Sequence, residues 1–204
     1  LGGKSPVVVS KGADIAAAAE RVATMKCLNA GQICLAPDYV LLDESIQAAF
    51  LSAYREAVAR LYPEKLANDD YTAIINAGHR SRLNALLEDA RRQGAEVEYL
   101  ATEDEVRTQA ANSHVTSINT SNAEGASAAN QSGAHAKLLP ALVHGATPSM
   151  RIMQDEIFGP YLPVRTFKTL AEAVEQINTG PRPLALYYFG PSGFGADQSG
   201  EDYI

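Results

Sequence analysis

Cys34 is the residue whose type and setting could do covalent chemistry. It closes the hexapeptide Asn29-Ala30-Gly31-Gln32-Ile33-Cys34, in which a helical pattern stops at a glycine and a thiol follows three residues later on an irregular segment. Polar Asn29 and Gln32 flank it, and Pro37 soon fixes the backbone. Acyl-transfer chemistry uses a soft nucleophile held at a turn, with a backbone N–H free to stabilise an oxyanion. The other reading is a small core residue, because free cysteine is among the most buried residue types. Cys34 also follows a helix carboxyl terminus, where the negative end of the dipole disfavours a thiolate. Activation therefore calls for a general base, or for a cationic group such as an oxidised nicotinamide ring.

A second candidate segment is Met153-Gln154-Asp155-Glu156-Ile157-Phe158-Gly159-Pro160. In an extended segment the acid Glu156 and the aromatic Phe158, at alternate positions, point to the same side. A carboxylate can accept two hydrogen bonds from vicinal ribose hydroxyls, and a phenyl ring can flank a planar heterocycle. A charged rim residue beside a core phenylalanine is the alternative. The opening Leu1-Gly2-Gly3-Lys4-Ser5-Pro6 places a glycine pair before a strand, but it lacks the spacing and the following helix of a phosphate loop. Alone it reads as a turn. Gly190-Pro191-Ser192-Gly193-Phe194-Gly195 lacks the strand–helix context of a dinucleotide fingerprint and reads as loop punctuation.

The elements that must position these residues alternate between strand and helix. A β-branched run at 6–9 reads as a buried strand. Asp14 caps a helix whose apolar positions Ile15, Ala18, Val22, Met25 and Leu28 recur at steps of three or four, and Gly31 ends it. Residues 39–42 form the next predicted strand, followed by Asp43 as cap and a helix with Ile46, Phe50, Ala53, Ala57 and Leu61 on one face. A third helix is expected over 76–93 with Gly94 as terminator, then a strand at 97–100. Strands are also expected at 142–143, 161–167 and 184–189, with a helix at 170–177. This pattern predicts an α/β fold with a mainly parallel sheet and flanking helices. Residues 102–136 are rich in Ser, Ala, Asn, Thr and Gly and poor in large apolar side chains, so a polar loop excursion is expected there.

Composition narrows the function classes. A net charge of −7 without a Lys/Arg cluster argues against a nucleic-acid surface. No apolar run approaches the ~20 residues of a membrane span, so no membrane partner is expected. The four histidines stand singly and the two cysteines, Cys27 and Cys34, share one stretch, so neither a metal site nor a disulfide framework is indicated. No secretory leader is recognised, and the reducing cytoplasm is the expected setting.

Together and in this order, the segments resemble the aldehyde dehydrogenase superfamily. Leu1-Gly2-Gly3-Lys4-Ser5-Pro6 is similar to the segment that follows the family's general-base glutamate, Asn29 to Cys34 to its nucleophile motif, and Glu156-Ile157-Phe158-Gly159-Pro160 to its cofactor-contacting motif. Ala36-Pro37-Asp38-Tyr39-Val40-Leu41 and Arg182-Pro183-Leu184-Ala185-Leu186-Tyr187 resemble the class 3 and coniferyl-aldehyde branch. The resemblance implies that residues 1–204 form an incomplete catalytic domain. A general-base glutamate and a dinucleotide-binding domain would then precede Leu1. It also implies that Gly190 runs into Pro191 where the family has a further helix and strand.

The implied reaction is oxidation of a small-molecule aldehyde to a carboxylic acid with NAD or NADP. Cys34 would form a thiohemiacetal and then a thioester, and its N–H would supply part of the oxyanion hole. Glu156 would hold the nicotinamide ribose and Phe158 would border the ring. Gly2 and Gly3 would let the backbone approach the cofactor. Cys27 matches no family role and is assigned to helix packing. A homodimer is implied for the full-length protein, and this chain is expected to be inactive alone. Two other readings stay open: a stand-alone cysteine acyl-hydrolase, which needs a base within ~3 Å of the sulfur, and a non-catalytic truncated module, which would expose apolar surface where a partner docks.

Overall fold

The computed structural model describes residues 3–119 and 137–191, with the backbone alone for 112–119. Six strands form one sheet in the order β3-β4-β5-β2-β1-β6. They are β1 (Pro6–Val9), β2 (Tyr39–Asp43), β3 (Glu96–Tyr99), β4 (Ala141–His144), β5 (Tyr161–Phe167) and β6 (Tyr187–Phe189). All neighbours pair parallel except β3 and β4, which are antiparallel at one edge. The expected α/β architecture is thus present. An antiparallel edge strand on an otherwise parallel sheet is a common variant.

Alternation along the central strands sends side chains to both faces, and both faces are covered. Val7 and Val9 of β1 and Val40 and Leu42 of β2 point into the larger core. It is roofed by α1 (Ile15–Cys27), α2 (Gln47–Leu61) and α3 (Ala77–Arg92). Val8, Tyr39, Leu41 and Phe167 point the other way, against Ala173 and Ile177 of α6 (Leu170–Asn178). The short helix α5 (Arg151–Gln154) precedes β5.

Helix starts are fixed by side chains that the sequence displays. Asp14 accepts from Ala17 N, Asn76 from His79 N and Thr169 from Glu172 N, each satisfying an otherwise orphaned first-turn donor. Cys27 packs inside α1 at 1% exposure, and burial pushes its thiol up to about 12, as a packing role requires. Leu28 departs from the predicted stripe: it lies past the end of α1 and is exposed. The last strand is shorter than expected, with Leu184 and Leu186 exposed ahead of it.

The polar stretch needs correction. Residues Glu103–Asn119 form a helix, α4, in place of the expected loop excursion over 102–136. Its start is a capping box: Thr102 Oγ1 accepts from Glu105 N at 3.3 Å, and Glu105 Oε2 accepts from Thr102 N at 3.1 Å. Glu103, Asp104 and Glu105 also complement the positive end of the helix dipole. Local capping and charge thus outweigh the weak apolar pattern. The rest of that stretch, 120–136, lies outside the described residues.

Candidate active site

Topology explains why three motifs distant in sequence meet. Each lies just ahead of a parallel strand: Gly3–Ser5 before β1, Cys34–Asp38 before β2, and Glu156–Pro160 before β5. Those strands are consecutive in the sheet. Parallel neighbours start at the same end, so the three lead-in segments converge at the amino ends of β5, β2 and β1.

The Cys34 loop is shaped by left-handed residues. Beyond α1, a 3-10 turn over Leu28–Gly31 carries Asn29 at φ 52°, Ala30 at φ 51° and Gly31 at φ 72°. Gly31 is fixed by space as well as by φ, because a Cβ there would lie 2.3 Å from the carbonyl oxygen of Gly159. The nucleophile loop and the Glu156 segment therefore touch at two glycines. Gln32 anchors the loop sideways: its Nε2 donates to Ala73 O at 3.1 Å and its Oε1 accepts from Ile75 N at 2.9 Å. Ala36 N donates to Ile33 O at 3.0 Å, which puts Cys34 and Leu35 at the corners of a turn. Leu35 O in turn accepts from the Tyr187 hydroxyl at 2.7 Å. Cys34 is exposed, and among the described residues neither its sulfur nor its backbone N–H has a hydrogen-bond partner.

The Glu156 segment is a strap whose backbone is held from three sides. Lys4 Nζ donates to Ile152 O and Asp155 O, both at 2.9 Å. Arg82 donates to Glu156 O at 3.1 Å and, through its other terminal nitrogen, to Ile157 O. His79 Nε2 lies 2.7 Å from Phe158 O and donates to it, while Nδ1 accepts from Arg82 Nε at 3.4 Å. Asp38 Oδ1 accepts from the buried Ile157 N at 3.0 Å, and its Oδ2 lies 3.6 Å from Lys4 Nζ. Burial lowers the Lys4 pKa, opposed chiefly by Asp38.

With the strap backbone occupied in this way, two side chains remain available. The Glu156 carboxylate is half-buried and makes no hydrogen bond or ion pair among the described residues. Phe158 is 36% exposed, its ring meeting His79 edge-on at 6.0 Å. The strap is not a regular extended segment, because Phe158 itself is left-handed at φ 51°. Gly3 adopts φ +144°, and a Cβ there would face Arg182 O at 3.5 Å, so conformation more than space requires glycine. Gly2 lies outside the described residues.

Lys4, Asp38, His79 and Arg82 were not singled out by sequence reasoning as members of this site. Lys4 and Asp38 stand inside the motifs already quoted. His79 and Arg82 announce themselves only by their (i, i+3) spacing in the first turns of α3. Among the described residues no group of three or more His, Cys, Asp or Glu could hold a metal, and no helix is long and apolar enough to cross a membrane.

Comparison with known proteins gives the family. The sequence model described as "Aldehyde dehydrogenase family" matches residues 1–117 and 104–196. The chain belongs to the aldehyde dehydrogenase family. It is 44% identical over 190 residues to a probable coniferyl aldehyde dehydrogenase of Caulobacter vibrioides, covering 93% of this chain and 34% of that protein. The coniferyl aldehyde dehydrogenase of a Pseudomonas species is 42% identical, with 93% of this chain and 35% of that protein covered. Among solved structures, the substrate-bound state of Staphylococcus aureus AldH superposes with a TM-score of 0.74 at 31% identity, covering 97% of this chain and 37% of that one. The chain thus spans about a third of the length of the curated relatives it matches.

Proposed function

We propose that this chain supplies the nucleophile-bearing part of an NAD(P)-dependent aldehyde dehydrogenase, with Cys34 as the attacking residue. The observation that carries this reading is the contact of two loops. An exposed thiol with an unengaged N–H stands on a turn whose Gly31 abuts Gly159, and Gly159 ends the strap that presents Glu156 and Phe158. An available carboxylate and an exposed ring on the strap that touches the Cys34 loop fit a ribose and a planar heterocycle. Glu156 and Phe158 would hold the cofactor, and Gly3, with Gly2, would border it. When bound, the oxidised nicotinamide supplies the hydride acceptor.

With its proton passed to a general base from polypeptide outside the described residues, Cys34 Sγ would attack the aldehyde carbon, forming a C–S bond as the carbonyl π pair moves onto oxygen. The Cys34 N–H donates to that oxyanion. Loss of hydride from the same carbon to the oxidised nicotinamide, when bound, would leave a thioester on Cys34. Water then adds, the C–S bond breaks towards sulfur, and the carboxylic acid leaves. A homodimer of the full-length protein and a cytoplasmic setting belong to the same proposal; both cysteines are free thiols, as a reducing compartment allows.

Two observations bear on the other readings. The side chains of His79 and His144 are engaged with Phe158 O and Glu98, so neither serves Cys34 as the base of a stand-alone acyl-hydrolase. Leu28, Leu35, Ile75 and Phe158 are exposed on the segments around Cys34, which suits a site completed by further polypeptide. The test is formation of reduced nicotinamide from aromatic and aliphatic aldehydes by the longest natural form of the protein. Cys34→Ala should abolish turnover while leaving NAD(P) binding in place. Undiminished turnover in that variant would refute the assignment.

A further inference from the structure

The sheet face packed against α6 holds a cavity of about 350 Å³, between the start of β2, Arg165 in the second half of β5 and the segment joining α6 to β6. Its lining includes Lys4, Tyr39, Met153, Arg165, Ile177 and Pro183 and, among the described residues, no acidic side chain. Arg165 is directed there by register. It pairs with Leu41 of β2, and Leu41 packs on this face with Val8, Tyr39 and Phe167.

Arg165 is half-buried and, among the described residues, its guanidinium has no hydrogen bond or ion pair. Tyr39 beside it is buried, its hydroxyl likewise without a described partner. Burial raises the Tyr39 pKa to about 12 against the opposing field of Arg165, so the hydroxyl stays a donor. Lys4 Nζ lies 5.9 Å from the Tyr39 ring centroid, with Asp38 as its counter-charge. A guanidinium partly removed from water without an anion is costly, and its planar fork matches a carboxylate. Met153, Ile177, Pro183 and the Tyr39 ring form apolar walls. The volume equals roughly ten waters at ~30 Å³ each, enough for a ring or a short chain.

We propose that this cavity binds the carboxylate of a small amphipathic acid, with Arg165 as the bidentate partner and the Tyr39 hydroxyl as a second donor. The site is separate from Cys34 and needs no turnover to be observed. The same chemistry could come from an Asp or Glu side chain of the polypeptide outside the described residues, and the free acid is the source favoured by the apolar walls.

Isothermal titration of the full chain with benzoate, and with benzyl alcohol as the neutral counterpart, tests the proposal. Benzoate should bind with one-to-one stoichiometry, and benzyl alcohol at least ten-fold more weakly. Arg165→Met should weaken benzoate at least ten-fold, the loss of one charge-assisted pair, with an unchanged near-UV circular dichroism spectrum. Tyr39→Phe, which removes only the hydroxyl, should weaken it two- to five-fold. Equal binding of acid and alcohol, or an undiminished Arg165→Met, would overturn the proposal. If the parent binds no benzoate and Arg165→Met instead lowers thermal stability, a built-in carboxylate fills the cavity and the free-acid site is refuted.

Discussion

Removing the Asp38 carboxylate tests whether the Cys34 loop and the Glu156 strap are held as one unit. Asp38 Oδ1 accepts from the buried Ile157 N at 3.0 Å, and Oδ2 faces Lys4 Nζ at 3.6 Å. The two side chains are 4% and 9% exposed, so solvent screening does little to weaken their attraction. In Asp38→Ala the amide of Ile157 loses its acceptor, a cost of about 1–3 kcal/mol. Lys4 loses its counter-charge while buried, a cost of about 3–5 kcal/mol. The two overlap through shared relaxation, which puts the total near 4 kcal/mol, or roughly 8–16 °C in Tm for a domain of this size.

Asp38→Asn separates the contributions, because an amide oxygen can still accept from Ile157 N while the charge is gone. Lys4→Met combined with Asp38→Asn removes both buried charges together. Urea unfolding followed by far-UV circular dichroism should show the double variant at least about 1 kcal/mol more stable than the sum of the singles predicts. A cost below about 1 kcal/mol for Asp38→Ala, or additive singles, would refute the reasoning.

Arg82→Met should raise KM for NAD(P) at least about ten-fold with a smaller change in kcat, because Arg82 fixes the strap backbone and not the thiol; an unchanged KM in steady-state kinetics would contradict this. Gly31→Ala combines a left-handed backbone with a Cβ driven onto Gly159 O, so a loss of about 2 kcal/mol or more is expected in chemical denaturation, and a neutral result would show that the two loops do not touch. Lys26 Nζ is fully buried without a hydrogen-bond partner among the described residues, and burial pulls its pKa from 10.5 down to about 8. Between those values the unfolded chain keeps a proton that the native chain has released, so this group's contribution to stability rises with pH through that window. Lys26→Met should therefore be more stable than the parent by about 1–4 kcal/mol at pH ~7 and lose much of that advantage by pH ~10; a pH-independent difference in urea midpoints would refute it.

What could be read in the sequence follows from how local the cause is. Period and capping are local, so α1, α2 and α3 and the strands under them are legible from Asp14, Asn76 and the apolar spacing alone. The helix over Glu103–Asn119 is equally local, since Thr102 and Glu105 spell a capping box. Its polar composition hides it, because the helix carries no strong apolar stripe. The exposed turn at Cys34 is visible through Gly31 and Pro37. That Gly31 must also make room for Gly159 is not, since the two are 128 positions apart and meet only through strand order. The same holds for Lys4, Asp38, His79 and Arg82. Each is an ordinary polar residue in its own neighbourhood, and acquires a role only when β1, β2 and β5 become neighbours.

The placement of the site has a physical consequence for Cys34. Ligands in open parallel sheets usually lie beyond the carboxyl ends of the strands. Here the candidate residues stand before the amino ends of β1, β2 and β5. Cys34 has just left the carboxyl end of α1, and no helix amino terminus is supplied by its own loop. The basic groups nearby are already spent on structure, with Lys4 and Arg82 bonded to strap carbonyls and Lys26 sealed in the core. A thiol so placed has an accessible sulfur and an unengaged N–H, but no described group poised to take its proton. On the proposed reading the loop would supply geometry for addition to a carbonyl, and activation would come from groups brought to the sulfur, by polypeptide beyond the described residues or by a cofactor held at Glu156 and Phe158.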